Sequence, residues 1–202
     1  MTPTILLIHF TESFDNTHAL KVLKDPRPDN PKASVSSHYL VHRDGRIRGL
    51  VPENRRAWHA GVSQWNRYGE PDPEDGLPRL NPRALGIEIE NCGDRMVENA
   101  LKPLSSLEVL TDITLEKSLA LIRDICQRHS ILTENVLGHD MVTLRKQDPG
   151  RGVAQLWEHL VEQGMALPRC PFFPYRVTPD EVKQKKLLGH WDWDTERLIE
   201  SR

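Results

Sequence analysis

The spacing of hydrophobic residues changes from segment to segment along this chain, and each spacing predicts an element. Thr4 to Ile8 is a near-continuous run of β-branched and leucine residues, as expected of a strand buried on both faces. Ser13 to Leu23 predicts a helix stopped by Asp25-Pro26, because the residue before proline avoids helical backbone. Pro26 to Pro31 reads as a loop. Ser37 to His42 and Arg46 to Val51 flank Arg43-Asp44-Gly45, and Asp-Gly between two such runs predicts a hairpin. Ala57 to Ala60 predicts a short strand. Leu85 to Glu90 predicts another, with clear alternation. Leu115 to Arg128 carries apolar residues at 115, 119, 122, 125 and 126, a helical spacing. Val136 to Gly138 predicts a last strand. Val153 to Gln163 predicts a helix that Gly164 caps. Strand and helix signals alternate, which places the chain in the α/β (α+β) class.

Two long loops interrupt this plan. Gln64 to Pro82 holds prolines at 71, 73, 78 and 82, and Asn91 to Asp112 is irregular. Loops of that length are often binding walls, with poorly ordered surface as the alternative. Residues 165–202 read as an extension of a 1–164 domain. Pro171-Phe172-Phe173-Pro174 is a rigid apolar strap. Thr178-Pro179-Asp180-Glu181 makes a good helix start, and Trp191 and Trp193 lie among charges near the end.

Composition narrows the function. At 202 residues the chain can bury a proper core without staples. Its 27 basic and 29 acidic residues nearly cancel, which argues against a dedicated nucleic-acid binder. Cys92, Cys126 and Cys170 are scattered and odd in number, so a disulfide framework is not expected and a reducing compartment is. No stretch approaches the roughly 20 apolar residues of a membrane span, and the first residues lack a basic leader. The expectation is a protein cytoplasmic as synthesised, with a dedicated export system or cell lysis needed for work outside.

The chemistry concentrates in Gly138-His139-Asp140-Met141-Val142-Thr143-Leu144-Arg145-Lys146-Gln147-Asp148-Pro149-Gly150. This segment offers a histidine, a basic pair and a carboxylate, but it cannot hold a metal alone. His9 closes the apolar run near the other end of the sequence. Two histidines and one carboxylate, with a free fourth position, are what a catalytic zinc needs. A core histidine bonded to backbone and a solvated basic turn are the bland alternatives. In Gly86-Ile87-Glu88-Ile89-Glu90, Ile87 and Ile89 face the core, and Glu88 and Glu90 project together roughly 7 Å apart. One of them is a candidate general base, unless both are solvated on an edge strand. In Arg56-Ala57-Trp58-His59-Ala60-Gly61 only one of the neighbours can face a cleft. Trp58 is expected in the core and His59 outward, able to bond substrate. His38 and His42 read as packing or supporting groups.

The order of these motifs, with Ser37-His38-Tyr39 and Arg43-Asp44-Gly45 among them, resembles the zinc-dependent N-acetylmuramoyl-L-alanine amidases of the amidase-2 type. That family includes AmpD-like recycling enzymes, phage lysozyme-amidases and the peptidoglycan recognition proteins. The likeness covers about residues 4–163, and the combination is far more specific than any one motif. It implies a central mixed β-sheet flanked by helices, with a zinc groove on one face. It implies His9, His139 and Asp148 as zinc ligands and Glu88 as the catalytic carboxylate. Lys146 would stabilise the reacting oxygen, with the adjacent Arg145 as the other cation for that role. The reaction it implies is hydrolysis of the amide between N-acetylmuramic acid and L-alanine in peptidoglycan or muropeptides. His59 would help hold the carbonyl. Trp65 and Tyr68 would stack on sugar or peptide, or else pack in the core. A non-catalytic peptidoglycan-binding module is the rival expectation.

Overall fold

The computed structural model describes residues 1–13, 16–24, 34–65, 69–71, 73, 76–92, 108–143, 146, 148–168, 189–192 and 197–200. The elements in chain order are β1 (Ile5–Phe10), α1 (Asn16–Lys24), β2 (Tyr39–Val41), β3 (Ile47–Gly49), β4 (Glu70–Pro71), β5 (Pro78–Arg79) and β6 (Ala84–Ile89). They continue with α2 (Asp112–His129), β7 (Val136–Gly138), α3 (Ala154–Glu162), β8 (Gly189–Asp192) and β9 (Arg197–Glu200). Short 3-10 turns at Thr133–Asn135, His139–Met141 and Arg151–Val153 link the later elements.

Five strands form one mixed sheet in the order β3-β2-β6-β1-β7. β1 runs parallel to both β6 and β7, β2 runs parallel to β6, and only the β2–β3 hairpin is antiparallel. A central position explains why every residue of β1 is buried: a parallel strand with neighbours on both edges is covered on both faces. β6 alternates Leu85, Ile87 and Ile89 with Ala84, Gly86 and Glu88. The first set joins the hydrophobic core together with Ile122 and Ile125 of α2 and Leu156 and Leu160 of α3.

The helices have local causes. The Thr111 side-chain oxygen accepts from the Thr114 backbone N–H at 3.2 Å, an N-cap that starts α2 earlier than apolar spacing alone predicts. Ser130, at φ 53°, turns the chain off its other end. α3 buries Leu156, Trp157 and Leu160, and Gly164 follows at φ +66°, as a glycine past a helix end should. Gly45 holds φ +80°, and a Cβ there would meet Ile113 Cγ1 at 2.7 Å, so only glycine lets the hairpin tip touch α2.

Two expectations are corrected here. Residues 57–60 form no strand. The Asn81 Oδ1 accepts from the backbone N–H groups of His59 (3.2 Å) and Ala60 (2.9 Å), so these donors are taken by a side chain instead of a ladder. The proline-rich loop, in turn, contains the small β4–β5 ladder, which prolines tolerate at a sheet edge. The expected loop at 26–31 and the expected helix start at Thr178 lie outside the described residues. β8 and β9 pair antiparallel within the extension. No helix among the described residues is long and apolar enough to cross a membrane.

Candidate active site

Three parallel strands end side by side, and each delivers one polar group there. His9 on β1 is the register partner of Glu88 on β6. β7 ends at Gly138, paired with Ile8, and His139 follows directly. Ligand sites of parallel sheets favour these carboxyl ends of strands. Asp148 is brought back by its own backbone, whose carbonyl accepts from the Asp140 N–H at 2.8 Å.

The side chains of His9, His139 and Asp148 converge. His9 Nδ1 lies 3.0 Å from His139 Nδ1 and 2.8 Å from Asp148 Oδ2. His139 Nδ1 lies 3.0 Å from the same Oδ2. All three residues are at most 8% exposed. Their far sides fix where the ring protons sit. His139 Nε2 is 3.0 Å from the Ala60 carbonyl oxygen; a carbonyl only accepts, so Nε2 carries the proton and Nδ1 offers a lone pair. His59 Nε2 donates to the Ala84 carbonyl at 3.3 Å, which leaves His59 Nδ1 as an acceptor. His9 Nε2, 3.0 Å from that Nδ1, therefore donates, and His9 Nδ1 also presents a lone pair. Two imidazole lone pairs and a carboxylate oxygen thus face one another with no proton between them. A cation satisfies such a set, and N₂O donors with room for a further ligand suit zinc. These three residues form a group able to hold a metal ion.

Electrostatics agree with that assignment. Burial, then the nearby His139, pushes the His9 pKa down to about 4, so its ring is neutral and ready to ligate. Burial works against ionisation of Asp148, yet the His139 and His9 rings beside it hold its carboxyl well below the usual range. Glu88 behaves in the opposite way. Burial first, and the Asp148 charge second, lift it well above the ordinary carboxylate range, against the pull of Lys146. A carboxylate so raised suits proton transfer near neutral pH.

Glu88, Lys146 and the three converging residues line one cavity. Ala19, Val22 and Leu23 of α1 and Val35 add an apolar part to its lining, next to His18 of the same helix. Glu88 of β6 and Glu90, one residue past the strand's end, part company. Glu90 is buried and accepts from the His42 ring Nδ1 at 2.9 Å and from the Arg43 N–H at 3.0 Å. It braces the β2–β3 hairpin, and Glu88 alone of the pair faces the cavity.

The other expected site residues are placed differently. His59 is only 8% exposed, and both of its ring nitrogens are engaged by His9 and Ala84. Its edge lines the cavity, but it has no nitrogen left for a substrate carbonyl. Trp58 and His59 are reversed from expectation: Trp58 is 48% exposed, with the Arg56 guanidinium carbon 5.3 Å from its ring centroid. Trp65 is 2% exposed and sits in the core, so it offers no stacking face. Tyr68 and Arg145 lie outside the described residues. Sequence reasoning missed Asn81, buried and bonded to the 57–61 segment; a lone asparagine before Pro82 gives no local sign of that role.

With the geometry in place, comparison with known proteins is informative. A family model described as N-acetylmuramoyl-L-alanine amidase matches residues 1–151, and the chain belongs to that family. Among its relatives is N-acetylmuramoyl-L-alanine amidase AmiD of Escherichia coli K12, 35% identical over 170 residues, covering 80% of this chain and 53% of AmiD. Another is 1,6-anhydro-N-acetylmuramyl-L-alanine amidase AmpD of the same strain, 33% identical over 117 residues, covering 57% of this chain and 52% of AmpD. The chain therefore spans about half the length of the curated relatives it matches. Similar solved structures include the E. coli AmiD complex with anhydro-N-acetylmuramic acid-L-Ala-D-gamma-Glu-L-Lys, at 32% identity and TM-score 0.63, covering 82% of this chain and 59% of that one. AmpDh3 of Pseudomonas aeruginosa in complex with anhydromuramic pentapeptide aligns with 27% identity and TM-score 0.63, covering 82% of this chain and 61% of that one.

Proposed function

We propose that this chain is a zinc-dependent N-acetylmuramoyl-L-alanine amidase, hydrolysing the amide between N-acetylmuramic acid and L-alanine in peptidoglycan or muropeptides. The observation that carries the reading is the meeting of three side-chain atoms able to ligate a metal, near Glu88 and the ends of adjacent strands. Residues 1–164 are the catalytic unit in this proposal, and 165–202 are an extension to it.

His9, His139 and Asp148 would hold the metal. Zinc, when bound, supplies Lewis-acid activation of water and of the amide carbonyl. Glu88 takes the proton from the attacking water and returns it to the leaving amine, a role its raised pKa fits. Lys146 brings a positive charge to the oxygen on which negative charge develops, worth about 3 kcal/mol for one well-placed donor. The apolar side chains Ala19, Val22 and Leu23 of α1 would limit water around the reacting carbonyl. Trp58, exposed beside Ser36 of the cavity lining, extends an aromatic face toward a sugar or peptide.

The test is digestion of purified sacculi and of soluble muropeptides by the zinc-loaded chain, with and without a chelator, and identification of the products by mass. Release of peptides with a free L-alanine amine, abolished by chelation, is the expected result. Binding that survives chelation without any cleavage would instead establish a recognition module.

A further inference from the structure

We propose that segment 57–61 is a positioning device for the metal centre, holding both ligand histidines through a single loop pinned by Asn81. The inference rests on the metal reading above and goes beyond it. His59 accepts from His9 Nε2 at 3.0 Å, and the next residue, Ala60, accepts from His139 Nε2 at 3.0 Å through its carbonyl. Two ligands that are 130 residues apart in sequence thus have their far nitrogens held by adjacent residues of one segment. An acceptor at the far nitrogen fixes a ligand's tautomer and ring angle and raises its basicity.

The segment is built to stay in place. Asn81, 2% exposed, accepts from the His59 and Ala60 N–H groups. Ser36 secures the position before them: its Oγ accepts from the Trp58 N–H at 2.9 Å, and its N–H donates to the Trp58 carbonyl at 3.0 Å. Gly86 completes the seat. A Cβ at Gly86 would stand 2.7 Å from the His59 ring, so a side chain at this strand position would expel the ring. The Gly86 N–H in turn donates to His38 Nδ1 at 3.0 Å, and His38 Nε2 donates to the Arg55 carbonyl at 3.0 Å. A buried ring that needed only to fill space would require none of these polar contacts. His59 is a positioning residue: it acts on the metal through His9.

The experiment measures zinc affinity of the full chain by competition with a chelator, alongside nitrogen-15 spectra of the histidine rings. In the zinc-loaded parent chain, His9 is expected to be protonated at Nε2 and to show a scalar coupling to His59 Nδ1 across the N–H···N bond. His59→Leu is expected to weaken zinc binding about 10–100-fold, the usual cost of losing an outer partner of a ligand. His59→Asn, whose amide oxygen can replace the Nδ1 acceptor, is expected to recover most of that loss. Gly86→Ala should weaken zinc in the same direction as His59→Leu. A His59→Leu chain that binds zinc as tightly as the parent would overturn the proposal. So would the absence of the coupling in the parent, a measurement that stands even if a variant fails to fold. If the parent chain itself binds no zinc, the metal reading fails too; a parent that binds zinc indifferently to residue 59 removes only the positioning role.

Discussion

The cluster around Asp148 and the cluster around Glu53 each set histidine beside a carboxylate, yet their hydrogen bonds balance differently. Glu53 accepts from the Tyr39 hydroxyl at 2.6 Å, from the Arg128 guanidinium at 2.6 and 2.9 Å, and from His129 Nε2 at 2.8 Å. Donors surround one acceptor, and the result ties the chain after β3 to the last turn of α2, where positive charge is favoured. At Asp148 three acceptors face one another and their donors are all used elsewhere. A histidine–carboxylate cluster with matched donors and acceptors is structural support. One with surplus lone pairs calls for a cation. At Glu53 the donors come from Arg128 and Tyr39 as well as His129, whereas at Asp148 the ring N–H groups of His9 and His139 are turned away to His59 and Ala60.

The largest effect tests the surplus directly. Asp148→Ala is expected to lose bound zinc and amidase activity together, both falling to background when metal content and muropeptide turnover are measured on one preparation. Retention of the metal at parental level would return this cluster to the structural class. The next contrast separates the reacting groups from the ion. Glu88→Gln should keep its metal and lose about 10²–10⁴-fold in turnover, and Lys146→Ala should keep its metal and lose about 10²-fold. Glu90→Gln, two residues along the same chain, should instead lower the melting temperature and leave the turnover of the folded enzyme near normal. A fully active Glu88→Gln enzyme would move the base elsewhere.

The smallest effect belongs to the balanced cluster. The Arg128 hydrogen bond, followed by those from Tyr39 and His129, lowers the Glu53 pKa from 4.5 to about 2. Because the folded value is depressed, the stabilisation is fully present above pH 4.5 and is lost as pH falls toward about 2. The pair lies near the surface, so the contribution is expected to be below about 1 kcal/mol. Glu53→Gln should reduce stability slightly at neutral pH and flatten its decline across that acid window, as read from urea melts at stepped pH. An unchanged decline would show that other carboxylates set it.

How much of this was legible in the sequence depends on how local each cause is. The buried β1, the Asp-Gly hairpin, the core of α2 and the short β7 are written in adjacent residues, so periodicity finds them. The segment 57–60 was misread because its partners are Asn81 and Ser36, neither of which any local pattern links to it. The same distance hid the reversal of Trp58 and His59: a ring taken inward by His9 forces its neighbour out. Glu88 and Glu90 look alike in sequence, and only the His42 ring waiting beside Glu90 tells them apart. Trp65 is an aromatic at a loop edge by sequence and a core residue by packing. The residues implied as ligands by family resemblance lie far apart in sequence: His9 and His139 meet only when β1 and β7 pair in the assembled sheet, and Asp148 joins them through its backbone bond to Asp140.

The pairing of His9 with Glu88 across β1 and β6 has a consequence for how such a protein can diversify. The backbones that carry His9 and Glu88 are kept apart by a ruler made of peptide groups, roughly one inter-strand step of 4.8 Å. Surrounding walls can be exchanged, lengthened or deleted, and the ruler keeps its length. Only a slip of the two strands past each other would spoil it, and such a slip would turn every apolar residue of β6 away from the interior at the same time.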